Sequence, residues 1–163
     1  MKKTLPFAGL FIALLLIATE PLNAKEEHVR LSYPSKVEAS KGKEREKLFT
    51  PWMSTDALRA QVEEKRGKGE QIIYFEYNSG ASEARAIYVN KIKLTGPYSR
   101  WYMNTEQAME DKLNSEMKSG LQPAFIVRNI SGTYIMLFVS PGDLEAVRAQ
   151  LKELGIGEPR LKK

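Results

Sequence analysis

The residues best suited to chemistry are gathered in Gly96-Pro97-Tyr98-Ser99-Arg100-Trp101-Tyr102, where three aromatics and an arginine follow a turn. Aromatic faces and guanidinium groups are enriched where sugars, peptides and partner proteins dock. The chemistry they suggest is recognition, and Tyr98, Arg100, Trp101 and Tyr102 are the candidate ligand-binding residues. Trp101 lines up with Trp52 in an internal repeat, and a tryptophan repeated at each helix start is more simply a core plug. Tyr98 and Arg100 have no counterparts in Phe49-Thr50-Pro51, which makes them the stronger candidates. Tyr74, Tyr77 and Tyr88 form a second aromatic set, which strand propensity reads mainly as packing.

Reacting groups are scarce. His28 is the sole imidazole and sits in a charged stretch, which leaves no Ser-His-Asp triad and no multi-histidine metal site to assemble. Glu63-Glu64 and Glu110-Asp111 are adjacent on expected helices, so each pair diverges by about 100° and does not converge on one bond. Gly67-Lys68-Gly69 closes a helix and does not open one, unlike a phosphate-binding loop. Serines and lysines are plentiful, but no spacing selects a pair. The expectation is a protein without catalytic residues, bound metal or cofactor, with an unrecognised serine-lysine hydrolase as a third alternative.

These side chains are positioned by elements that the chain writes twice. Trp52-Met53-Ser54-Thr55 and Trp101-Tyr102-Met103-Asn104-Thr105 each lead into a polar helical stretch, then a glycine, then two apolar strands. Thr55 and Thr105 are 50 apart, Gly69 and Gly120 are 51 apart, and Val89 and Val139 are 50 apart. Repetition at a fixed spacing predicts two copies of one structural unit.

In the first unit Ser54 or Thr55 suits a helix N-cap, Met53 and Leu58 have the spacing of a hydrophobic staple, and Leu58 and Val62 share a face. In the second, Asn104 and Gln107 have capping-box spacing, and Met109, Leu113 and Met117 step by four up to Ser119-Gly120. Strands are expected at 72–77 and 86–89, with Ile92 and Leu94 as an extension, and at 124–127 and 134–139. The unbroken apolarity of 134–139 predicts a strand covered on both faces. A closing helix over 142–154 follows Ser140-Pro141-Gly142-Asp143, with Leu144, Val147, Leu151 and Leu154 on one face and Gly155 as its stop.

The fold class expected is therefore α+β: two helix-hairpin repeats at about 52–89 and 101–139, forming a mostly antiparallel sheet with helices packed on one face, plus the C-terminal helix. The domain spans 51–163. Ahead of it, residues 25–50 carry seven basic and five acidic side chains and few large apolar ones, the composition of a charged, flexible linker.

Residues 1–24 have the order of a secretory signal peptide. Lys2 and Lys3 precede an unbroken run from Leu5 to Ala18, followed by Glu20-Pro21 and the small residues before Lys25. That run is 14 residues long, shorter than the roughly 20 needed to span a bilayer. Leu22 is larger than the residue preferred three before the cut, so an uncleaved membrane anchor is the alternative. Cleavage removes two lysines and one glutamate, and the net charge falls only from +5 to +4. Such mild, interspersed basicity does not have the clustered footprint of a nucleic-acid binder. The chain has no cysteine, so an exported domain relies on its apolar core alone.

Two resemblances follow from these motifs. The stretch from Arg85-Ala86-Ile87-Tyr88-Val89 through Gly96-Pro97, Met103-x-Thr105-x-Gln107, Ser119-Gly120-Leu121-Gln122-Pro123 and Tyr134 to Phe138 resembles the bacterial tandem repeat that precedes the peptidase domain in polyglycine hydrolases. It covers one full unit and a copy from Trp52 to Val89, in which Ile72 stands where Pro123 does. The hydrolytic domain of that family has no counterpart here, so the resemblance implies a non-catalytic repeat module. Residues 84–161 are also similar to the sporulation-related repeat (SPOR) that binds peptidoglycan, through Thr133-Tyr134 to Val139, Pro141, Ala146, Leu151 and Gly155, parsed as strand, helix, strand, strand, helix, short strand.

The resulting expectation is an exported, non-catalytic binding or accessory protein of the bacterial cell envelope, periplasmic or secreted, recognising a protein or peptide surface. The alternative is a SPOR-like peptidoglycan-binding protein. Expected partners are protein, peptide or peptidoglycan, with no nucleic acid, and a membrane only if residues 1–24 stay uncut.

Overall fold

The computed structural model describes residues 30–33, 37–129 and 131–162. The expected signal segment 1–24 and His28 lie outside the described residues. Among those described, no helix is long and apolar enough to cross a membrane.

The α+β class is observed, with two related units. The first comprises β2 (Met53–Ser54), α2 (Thr55–Gly67), β3 (Gln71–Asn78) and β4 (Glu83–Val89). The second comprises β5 (Tyr98–Met103), α3 (Glu106–Lys118), β6 (Gln122–Arg128) and β7 (Tyr134–Val139). Each makes its own antiparallel three-stranded sheet, in the orders β2-β4-β3 and β5-β7-β6, with the last strand of the unit in the centre.

The repeat holds to the level of single turns. Ser54 Oγ accepts from Ala57 N–H and Thr105 Oγ1 accepts from Ala108 N–H, so each helix starts on a hydroxyl cap. Both helices run 13 residues and end ahead of a glycine with positive φ, Gly69 at 80° and Gly120 at 85°. The register of the next strand slips between Ile72 and Tyr74 and again between Pro123 and Phe125, so even the bulge is duplicated 51 residues on. Four residues separate the ladder pair Asn78 and Glu83, whereas three separate Asn129 and Thr133, which are joined by a backbone bond of 2.9 Å. That shorter turn returns the spacing from 51 to 50.

Register also corrects the alignment of the tryptophans. Met53 sits opposite Ala84 and Met103 opposite Tyr134, which makes Tyr102 the counterpart of Trp52. Trp52 is 40% exposed and Tyr102 42%, so neither plugs the core. The α3 cap is corrected too: Asn104 accepts from the Thr133 hydroxyl at 3.3 Å and Gln107 donates to Asp111 at 2.9 Å, leaving the cap to Thr105.

The interior is shared. Ile135, Leu137 and Val139 of β7 join Leu58, Val62, Ile72, Phe75, Ile87 and Phe125 in one cluster, while Tyr134, Met136 and Phe138 face Met109 and Leu113 of α3 in another. β7 is thus buried on both faces, as its composition predicts. α4 (Leu144–Glu153) closes the shared cluster with Val147 and Leu151. Ile92 and Leu94 pack against that cluster from the loop between the units and do not extend β4.

Residues 37–50 do not form the free linker that their composition suggests. They carry a 3-10 turn at Ala39–Lys41 and the short helix α1 (Gly42–Glu46), and their charges are put to use. Lys41 Nζ and Arg45 Nη1 donate to the carbonyls of Lys152 and Leu154 at 3.1 and 2.8 Å, satisfying the open end of α4. Glu46 and Glu76 both bind the Arg85 guanidinium, which also lies 4.0 Å over the Phe49 ring and 4.6 Å over Trp52. Burial works against the charge of Arg85, but the two carboxylates outweigh it and hold the guanidinium above its ordinary value. β1 (Arg30–Tyr33) pairs antiparallel with β8 (Arg160–Lys162), bringing the two flanks of the domain together.

Candidate functional site

The cluster at 98–102 is a strand, not the lead-in to a helix, and strand geometry sorts its side chains by parity. Tyr98, Arg100 and Tyr102 share the face turned toward the first unit. Trp101 belongs to the opposite face, packed against Met109 and Leu113 of α3 with Lys112 Nζ 3.7 Å from its ring centroid. On that same face Ser99 donates to Glu116 at 2.6 Å, and Lys112 pairs with Glu116 at 3.9 Å. Trp101 therefore separates from the other three candidates and anchors α3.

The remaining three form a seam with α2, β3 and β4. At one end the Tyr102 ring stacks on Tyr77 of β3, centroids 4.0 Å apart and planes 16° from parallel. Asp56 and Arg59 of α2 lie within electrostatic reach of Tyr102. Burial and the neighbouring Tyr77 phenol raise the Tyr102 hydroxyl above its ordinary value. The Tyr77 carbonyl is itself held by Asn129 Nδ2 at 2.7 Å, which ties the hairpin of one unit to that of the other.

At the other end Tyr98 receives two guanidinium groups, Arg66 of α2 at 5.7 Å and Arg100 at 5.9 Å from its ring centroid. Tyr88 of β4 faces the same place. Burial pushes its hydroxyl up to about 12, with Arg100 pulling the other way. Its oxygen is buried without a hydrogen-bond partner among the described residues, as is Oε1 of Gln61 on α2. Lys65 of α2 sits 5.7 Å from the Tyr88 ring centroid and is neutralised by Glu70 at 3.0 Å. Tyr74, the third member of the second aromatic set, is fully in the core against Phe49 and Phe125.

The charge balance of the seam is one-sided. Arg59 has an exposed pairing with Asp56 at 3.5 Å, worth little in solvent. Arg66 and Arg100 have no carboxylate within 4 Å among the described residues. The seam thus offers phenol rings for flat contact and guanidinium groups for carboxylate or other anions. Composition pointed to β5, but the contributions of Arg59 and Arg66 from α2, Tyr77 from β3 and Tyr88 from β4 depend on the first unit packing against it, and only their residue types hinted at a role.

A second polar cluster is structural. Asp143 accepts from Thr95 N–H, Thr95 Oγ1, Gly96 N–H and Ser140 Oγ at 2.7 to 3.1 Å. Burial opposes its charge, but the Gly96 amide, the Ser140 hydroxyl and Thr95 outweigh it and hold the carboxyl down at about 2. A Cβ on Gly96 would stand 2.4 Å from Ser140 Oγ, so only glycine fits this crossing. Every acceptor site there is spent on joining the loop between the units to the start of α4. Among the described residues no group of three or more His, Cys, Asp or Glu is placed to hold a metal ion. No family model, curated protein or solved structure matches this chain.

Proposed function

We propose that this is a non-catalytic binding protein of the bacterial cell envelope, periplasmic or secreted, that recognises a protein or peptide surface through the seam of α2 and β5. The observation that carries the reading is the convergence of Tyr98, Arg100 and Tyr102 with Arg59 and Arg66, in which two guanidinium groups lack a carboxylate within 4 Å among the described residues. Tyr98 and Arg100 are half-buried on β5 while Arg59, Arg66 and Tyr102 are exposed around them, and tyrosine and arginine are the residue types on which binding energy concentrates.

The test is replacement of Tyr98, Arg100 and Tyr102 together by Ala, with retention measured on immobilised peptides of graded net charge and on purified peptidoglycan sacculi. Retention on the acidic peptides is expected to fall at least about tenfold. The melting temperature is expected to fall by about 10 °C with the fold retained, since Tyr98 packs against the core and Tyr102 stacks on Tyr77. A collapse of the fold in the triple variant, or unchanged retention, assigns these side chains to packing. The alternative, a SPOR-like peptidoglycan-binding protein, draws on the element order β5, α3, β6, β7, α4, β8. It predicts retention on sacculi that survives about 1 M salt, where exposed charge contacts are screened.

A further inference from the structure

The two three-stranded sheets have four edges, and three of them are blunted. β2 is only two residues long. β3 is bulged, and its Tyr77 carbonyl is taken by Asn129. β6 is bulged as well; Pro123 has no N–H to offer and its carbonyl accepts from Arg148 Nη2 at 3.0 Å. Bulges, prolines and side-chain caps are the usual means of keeping an edge from pairing. β5 has none of them: all six of its residues pair with β7 in one unbroken register.

The register says which backbone groups of β5 are open. Ser140 N–H donates to the Pro97 carbonyl at 3.1 Å, so Pro97 and Ser140 are a hydrogen-bonded pair. Alternation along an antiparallel ladder then directs Ser99, Trp101 and Met103 to β7, and turns the N–H and C=O of Tyr98, Arg100 and Tyr102 outward. The three residues whose side chains form the seam are the three whose main chain faces away from the sheet.

We propose that β5 is a docking edge for an extended acidic peptide segment of a partner protein, which adds as a fourth strand beside Tyr98, Arg100 and Tyr102. The proposal rests on reading the seam as the binding surface, and it supplies the mode and the partner chemistry. Main-chain bonds to the edge provide affinity in such additions, and alternate side chains provide specificity. Every second residue of the incoming strand would project onto the seam face, where Arg66 and Arg100 have no carboxylate within 4 Å among the described residues and Arg59 is weakly paired. Carboxylates at those positions complete the charge. A second copy of this chain is a poorer occupant, because antiparallel pairing of two β5 strands through the outward groups of Tyr98, Arg100 and Tyr102 sets Arg100 opposite Arg100, and like charges directly opposite are unfavourable.

The experiment uses the full chain and a fluorescein-labelled peptide, Thr-Glu-Val-Glu-Val-Glu-Thr, read by anisotropy and by amide shifts of β5. Two N-methylated forms carry the methyl groups on odd or on even residues. One form is expected to bind at least about tenfold more weakly and the other to match the parent, since only one set of N–H groups faces β5. Arg100→Asp and a Lys-for-Glu peptide are each expected to lose binding. Equal binding of both methylated forms overturns strand addition; loss on Arg100→Asp in that case still upholds side-chain recognition at the seam. Indifference to Arg100→Asp overturns both readings. Equal binding of the Lys peptide, no binding of the Glu peptide, or dimerisation of the chain that the peptide does not reverse also overturns the proposal.

Discussion

The units at 53–89 and 98–139 share their turn chemistry and part company over what lies beside their central strands. Cap, helix length, closing glycine and bulge all recur. β4 is only partly buried at Glu83, Arg85, Tyr88 and Val89, while β7 is buried at every residue because α3 covers one face and the first unit the other. The leading strand grows from two residues in the first unit to six in the second. Local signals were thus duplicated faithfully, whereas burial and edge exposure were free to diverge. The divergence leaves the first unit with a two-residue leading strand and gives the second a six-residue one at the edge of its sheet.

The sharpest way to break this comparison is to truncate equivalent residues. Phe138 and Tyr88 sit at matching places, opposite Pro123 and Ile72. Phe138→Ala is expected to cost about 3–5 kcal/mol in urea denaturation, and Tyr88→Ala about 1–2 kcal/mol, since its ring lies at a partly open seam. Equal losses would mean that the two central strands are equally buried in solution.

The clasp between the units comes next. Asp143→Asn is expected to cost on the order of 2 kcal/mol at pH 7, because its hydrogen bonds are made to a charged carboxylate. Its depressed folded value sets the sign: the stabilisation is complete above the ordinary carboxylate value near 4 and is lost as pH falls toward 2. Denaturation midpoints of the natural protein should therefore drop across about pH 4 to 2, and Asp143→Asn should flatten that drop. An unchanged acid profile would leave the clasp without energetic weight.

The smallest effects test the faithful part of the duplication. Ser54→Ala and Thr105→Ala should each cost about 1 kcal/mol, matching one another. Asn104→Ala should cost less, having no cap to lose. A larger loss at Asn104 than at Thr105 would restore the capping-box assignment that the observed hydrogen bonds replace.

Helix stops, hairpin turns and the doubly covered strand at 134–139 were legible because glycine conformation and apolar runs act locally. β5 was not, since Tyr98, Arg100 and Tyr102 alternate with Ser99, Trp101 and Met103, and aromatic rings on both faces hide the period of two. The equivalence of Trp52 with Tyr102 escaped for a related reason, as one extra position, Asn104, between Met103 and its helix cap shifts the apparent alignment by one. Residues 39–46 read as solvated because composition counts charges without showing that Lys41 and Arg45 end on the carbonyls of α4.

Order of elements, duplication and the paucity of reacting groups follow from the chain alone, because each depends on neighbours within a few residues. Which faces are covered, which edge stays open and which arginines lack a carboxylate among the described residues depend on contacts between residues 25 or more positions apart. Only the packing of α2 and β3 against β5 brings Arg66 to Tyr98 and Tyr77 to Tyr102, and no local pattern encodes that meeting.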